Sequence, residues 1–300
     1  MTSTAGPPAH SSSPQQRLTL PAEINAATLK QHSALNRLIT DRLPLALPPY
    51  QDDPAVLGQG LAAFAWLFFA FESVWEEFIF GSNGSINRGG TEKDLRNQWL
   101  CDLRSEGMHR TERLKSDLHF IAQRTRRSLP SITRKQQNML NAMCDSIREK
   151  PHTLVAYAWV FYMAIFSGGR WIRAQLAAAG SEYWTGEAEM SRYDKGKISD
   201  FGLPGFSFLS FDGRDDGQDV KARFKGRLEE AEAILTLQER NDIVLAAQKL
   251  FNDCIELVGI IEKKVQGSSM PESEPSLKLV LTVLGIIFAA LCYFVGYKRM

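Results

Sequence analysis

The chain lacks most marks of a special framework. Only four of its 300 residues are cysteine (Cys101, Cys144, Cys254 and Cys292), far apart and with no C-x-x-C pair. That spacing argues against a disulfide scaffold and a cysteine-rich zinc site, and it fits a reducing compartment. No charge of one sign dominates: 35 Lys and Arg meet 34 Asp and Glu, for a formal net charge of +1. A nucleic-acid binder working through bulk charge is therefore not expected. The first 17 residues lack the apolar run of a secretory signal. They hold six Ser/Thr and three Pro, and residues 1–19 read as a disordered tail. Period-two alternation is confined to Phe206–Phe211, and no solenoid-type repeat occurs.

What is present is a hydrophobic fraction of 44%, too high for a disordered chain, and it is unevenly spread. Leu279–Tyr297 is a run of 19 residues without a charge. As a helix at ~1.5 Å per residue it spans about 28 Å, close to the ~30 Å hydrocarbon core of a bilayer. Lys278 and Lys298-Arg299 bracket the run, and Tyr293 and Tyr297 sit near one end, as interfacial anchors do. The competing reading is a buried core helix, but such a helix rarely lacks a polar face for about five turns. Residues 277–297 are expected to form one C-terminal transmembrane helix behind a linker at 267–276. The body then faces the cytosol, with the endoplasmic reticulum as the expected membrane.

Residues 20–266 read as a single all-α domain. Pro21 opens a helix whose stripe is Ile24, Thr28, His32, Leu35 and Ile39. Leu57–Phe80 is almost wholly apolar and predicts a central helix, with Glu72, Glu76 and Glu77 appearing late. Residues 81–90 read as a loop, and Leu95–Arg127 as a charged helix ending before Pro130. Thr153–Ala179 is a long apolar segment interrupted by Gly168-Gly169. Thr236-Leu-Gln-Glu239 is a capping box that opens a helix to about Val265.

Three places inside this body carry chemistry. Adjacent Gly168 and Gly169 in an apolar helix cost roughly 2 kcal/mol relative to alanines, which marks either a break between helices or a backbone that something flat approaches closely. His32 lies on the inward stripe, either as a satisfied core residue or as an axial ligand for haem iron. Lys221 and Lys225, four apart, share a helix face that is either solvated or aimed at carboxylates.

Taken in order, these blocks resemble the haem oxygenases, specifically the tail-anchored eukaryotic members of fungal type. Thr28-Leu-Lys-Gln-His-Ser-Ala-Leu-Asn36 is similar to the family's proximal-helix segment. Pro151–Gly169, ending in Phe-Ser-Gly-Gly, is similar to its distal helix, and Gly202–Val258 to its C-terminal helices. The resemblance implies an all-α haem oxygenase-like domain with haem as both substrate and cofactor. His32 would ligate the iron, Gly168 and Gly169 would let the distal backbone approach the ring, and Lys221 and Lys225 would pair with the propionates. It further implies conversion of haem to biliverdin, iron and CO, using O2 and electrons from a membrane-bound NADPH-dependent reductase, beside a lipid bilayer and without nucleic acid.

The chain departs from the family where the stretch before Ser-Gly-Gly should read Gly-Asp-Leu. Here it is Ala164-Ile165-Phe166, so the aspartate that anchors distal waters is replaced by Ile165, and Phe161 stands near an expected arginine. An isoleucine can neither accept a hydrogen bond nor order water. A non-catalytic haem sensor, buffer or chaperone is therefore the alternative expectation.

Overall fold

The period read on the first helix places its residues correctly. In α1 (Leu20–Thr40) Ile24, Thr28 and Leu35 are buried and His32 is half-buried. This is a computed structural model that describes residues 18–40, 43–84, 92–187 and 205–268; every regular element among them is helical. The expected membrane helix at 277–297, the tail before residue 18 and most of the linker lie outside the described residues. The helical body extends slightly further than expected, because the last described helix continues to Ser268 and takes in the first two residues assigned to the linker.

The core is built around α2 (Ala55–Gly84). Its Phe64, Phe68, Phe71 and Trp75 are fully buried. By length and composition α2 could cross a membrane, but most of it is enclosed by other helices, which makes it a core helix. It packs against α3 (Glu92–Leu103), α4 (Thr111–Thr125), α5 (Arg134–Glu149) and α6 (Leu154–Ala178). After α7 (Gly180–Thr185), α8 (Gln218–Ile234) and α9 (Leu237–Ser268) complete the body. Both touch α1 and α6.

Several local expectations change. The segment Leu95–Arg127 is two helices, α3 and α4, broken at residues 104–110, where Gly107 takes a φ of +81° that favours glycine. Helix α2 runs to Gly84, through the start of the segment read as a loop. Phe206–Phe211 is not a strand; a 3₁₀ turn covers Ser207–Leu209. The double glycine does not end a helix, since α6 runs through it unbroken. The capping box at Thr236 forms as expected: the Glu239 amide donates to Thr236 Oγ1 at 3.2 Å, and the Thr236 amide to Glu239 Oε2 at 2.9 Å.

Two buried carboxylates join these helices. Glu72 of α2 is 0% exposed. It accepts from the amides of Arg110 and Thr111 at 2.9 Å each, from Thr111 Oγ1 at 2.5 Å, and from the Tyr162 hydroxyl of α6 at 2.7 Å. His109 Nε2 stands 3.2 Å away. The carboxylate thus caps the N-terminus of α4, where the helix dipole favours negative charge, and fixes α6 to it. Burial first, then Glu72, push the Tyr162 phenol well above its ordinary pKa.

The second carboxylate, Asp117 of α4, accepts from the amides of Gly205, Ser207 and Phe208 at 3.1, 2.9 and 2.8 Å. Arg110 donates to the carbonyls of Phe208 and Ser210 and lies 4.2 Å over the Phe211 ring. Together they hold the 205–211 segment against α4. Burial raises Asp117 to about 6, against the three amides that pull it down.

Glu72→Ala would strand several buried donors at once and is expected to cost about 3–5 kcal/mol in denaturant unfolding. Tyr162→Phe, which leaves Glu72 its other donors, is expected to cost only about 1 kcal/mol. Equal losses would show that the carboxylate is not the hub.

For Asp117 the folded pKa lies above the ordinary aspartate value of 3.8. Its contribution is therefore fully present below that value and is lost as pH rises through about 6. The stability of the native chain relative to Asp117→Asn should fall across this window in pH-dependent urea unfolding. A flat difference would contradict the raised pKa.

Candidate functional site

The sequence-derived site residues fall on three helices: His32 on α1, Gly168 and Gly169 on α6, and Lys221 and Lys225 on α8. Helix α1 is joined to α6 by a 3.1 Å hydrogen bond from Trp159 Nε1 to Asn25 Oδ1. His32 sits two turns further along α1, with its ring edge-on to Phe251 of α9 at 5.8 Å. Its imidazole is the only histidine side chain on α1. Among the described residues no cluster of three His, Cys, Asp or Glu could hold a bare metal ion. A single imidazole is the kind of donor that completes the coordination of iron already held by a porphyrin.

Lys221 comes directly against the glycine segment. It is 8% exposed, and its Nζ donates to Ser167 Oγ at 3.1 Å. Burial, then the cations Lys225 and Arg170, hold its pKa below the ordinary lysine range. A buried ammonium among other cations is stabilised by an incoming anion, which fits a propionate-bearing group. Lys225, one turn on, is exposed.

The two glycines differ in what they face. A Cβ built at Gly169 would lie 3.4 Å from Leu209 Cδ2 and 3.7 Å from Ile165 Cγ2. This side of α6 is thus covered by the 205–211 segment that Asp117 and Arg110 hold in place. Gly168 shares its stripe with Ala164, four residues earlier, and both are buried.

The positions that depart from the family are filled by apolar packing. Ile165 is 1% exposed. Phe161 is fully buried, stacked on Phe71 with ring centroids 5.2 Å apart and tilted on Phe68 at 4.7 Å. Phe166 stacks on Phe211 at 4.9 Å.

Sequence reasoning missed the residues that brace this arrangement. Arg170 and Arg173, in the turn after the glycines, both pair with Asp216, whose φ is +46°. Burial works to raise Asp216, but the Arg173 hydrogen bond and charge prevail and hold it below the ordinary range. A signal existed for Glu72, as a lone acid on the stripe of Phe68, Phe71 and Trp75 in an apolar helix. No local signal marked Asp117 or Arg110, because their partners are distant backbone groups.

These helices, with a histidine-bearing first helix and a glycine-bearing sixth, define a helical domain of the haem oxygenase type. The family model described as heme oxygenase matches residues 92–259, more than half of the chain, and the chain belongs to that family. The match leaves out α1 and α2, and with them His32 and Glu72. Among curated proteins, the heme-binding protein HMX1 of Saccharomyces cerevisiae is 25% identical over 179 residues, which is 55% of this chain and 51% of that protein. The alignment thus spans about half the length of the relative. Among solved structures, heme oxygenase 2 from Chlamydomonas reinhardtii without heme superposes with a TM-score of 0.63 at 16% identity, covering 85% of this chain and 100% of the other. Heme oxygenase-2 from Synechocystis sp. PCC 6803, in complex with heme and NO, gives 0.56 at 15% identity, covering 88% and 92%. At these identities the two structures speak for the fold.

Gly169→Ala adds a methyl at ordinary contact distance from Leu209 and replaces a poor helix former. Thermal unfolding is expected to show a change within about 1 kcal/mol, with haem titration unaltered. Loss of haem binding in this variant would mean that Gly169, not Gly168, faces the ligand.

Proposed function

We infer that the chain binds haem between α1 and α6, with His32 supplying the axial nitrogen and Lys221 and Lys225 receiving the propionates. The observation that carries this reading is Lys221, buried against Ser167 beside the glycines with the cations Lys225 and Arg170 nearby, because such a local excess of positive charge favours a carboxylate-bearing ligand. Bound haem would supply the redox-active iron and the porphyrin ring to be opened. The protein's own side chains would orient it: Gly168 would let the α6 backbone approach the ring, Ala164 would crowd that side where the family has a glycine, and Phe251 abuts the His32 imidazole. Ring opening to biliverdin, iron and CO, with O2 and electrons from a membrane-bound NADPH-dependent reductase, is the activity that family membership supports. The apolar run at 277–297 supports a single C-terminal anchor holding the body on the cytosolic side of a membrane, with the endoplasmic reticulum as the proposed site.

One observation favours a second reading, haem binding without turnover. Phe161 and Ile165 occupy the distal positions with apolar packing, so neither can hold a proton or order water there. A sensor, buffer or chaperone would keep the pocket and dispense with the relay.

Haem titration of the full chain in detergent, with His32→Ala alongside, tests the pocket. The native chain is expected to give a histidine-ligated Soret spectrum that the variant loses; an unchanged spectrum would reject His32 as ligand. Adding a reductase and NADPH then separates the readings: biliverdin formation supports the enzyme, and a persistent Soret band supports the non-catalytic protein. Ile165→Asp would bury a carboxylate at a position 1% exposed and is expected to lose about 3 kcal/mol of stability, while raising biliverdin formation if the pocket geometry is otherwise intact; no gain would count against Ile165 standing at the family's aspartate position.

A further inference from the structure

The stretch between Asp117 and Asp145 contains no Asp or Glu and five Arg or Lys: Arg124, Arg126, Arg127, Arg134 and Lys135. In a chain whose charges otherwise balance, this is a local excess of one sign. The fold displays it at one end of the body. Arg126 ends α4 in the left-handed region at φ +54°, Arg127 follows it, and Arg134 and Lys135 open α5; all four are exposed. The loop that carries them is fixed. Leu129 and Ile132 pack on the core, and a capping box between Thr133 and Gln136 sets the start of α5. Arg126, Arg127 and Arg134 form no ion pair among the described residues. A held loop backbone that presents guanidinium groups to solvent favours binding to anionic oxygens, since the backbone need not be ordered on contact.

The position of this end supplies the second observation. Lys135 pairs with Glu256, which places the arginine-bearing loop beside the C-terminal half of α9. From Glu256 the helix has twelve more residues to Ser268, about 18 Å at ~1.5 Å per residue. Ten residues then precede Leu279, a reach of at most ~35 Å. If the run at 279–297 spans a bilayer, the basic end is tethered within reach of the headgroups and meets them at high effective concentration.

We propose that the 126–135 face is a docking surface for the anionic headgroups of the membrane that holds the C-terminal anchor, laying the body onto the bilayer rather than leaving it on a free tether. The proposal rests on the anchor reading. Exposed basic side chains are drawn to anionic leaflets and released by salt, which gives the test its control.

The full chain is reconstituted with vesicles of phosphatidylcholine alone or with roughly a third phosphatidylserine. Flotation reports attachment, and amide hydrogen exchange across residues 126–133 reports docking. The expected result is salt-resistant flotation with both vesicles, and several-fold slower exchange only with phosphatidylserine. High salt and the triple variant Arg126→Gln/Arg127→Gln/Arg134→Gln should both abolish that difference. Equal exchange with both vesicles, while both float, overturns the docking face and leaves the anchor standing. Salt-sensitive flotation with phosphatidylserine alone overturns the anchor and supports the face. No flotation with either overturns both. Equal protection by inorganic phosphate or a short RNA assigns the face to another anion and overturns the bilayer as its partner.

Discussion

The placement of the distal helix depends on the Glu72 carboxylate. A charge at 0% exposure is costly to desolvate unless its lone pairs are used, and here donors from two other elements use them. The exposed N-terminal amides of α4 need an acceptor in any case, so the carboxylate answers a demand that the helix itself creates. Tyr162 then becomes the only α6 side chain in the hub. A rotation of α6 by one residue would swing its hydroxyl by about 100° and leave that hydroxyl buried without its acceptor. Ser167 and Gly168 lie less than two turns further along the same rigid helix, so their orientation is inherited from that bond.

The polar demand of α6 is thereby met on the side facing α2 and α4. The stripe of Phe161, Ile165 and Gly169 contains no polar side chain and is sealed by Phe68, Phe71 and Leu209. The stripe of Ala164 and Gly168 contributes shape alone. Polar chemistry returns at Ser167, where Lys221 arrives from α8. The proposed binding groups, Lys221 and His32, thus stand apart from the apolar packing of Phe161 and Ile165.

What could be read from sequence follows from which interactions are local. The helix periods of α1, α2, α6 and α9 and the Thr236 capping box involve neighbours within four residues, and each appears where its pattern put it. The break at Arg104–Arg110 was hidden because charges on both sides continue at helical spacing, while the interruption is made by Glu72, 38 residues away from Arg110. The Lys221–Ser167 contact spans 54 residues, and only its lysine end was marked in the sequence. Glu72 itself looked like one of three acids in a fading apolar run. Burial separates it from Glu76 and Glu77, and burial is set by α4, a helix packed against it.

The family match and the proposed iron ligand lie on different parts of the chain, and the packing explains how the second can follow from the first. Helix α1 lies outside residues 92–259, yet its described hydrogen bonds to the rest of the body are donated from inside that range. Arg240 donates to Glu23 and to the Leu18 carbonyl, Gln248 to the Ala27 carbonyl, and Trp159 to Asn25. These acceptors span the first half of α1, so its depth and rotation are dictated by α6 and α9. His32 lies five residues past the last of them, within a continuous helix. Its direction is therefore fixed by residues within the family-matched range rather than by the local sequence of α1. The proposed ligand role asks of that segment only a helical period with a histidine in register.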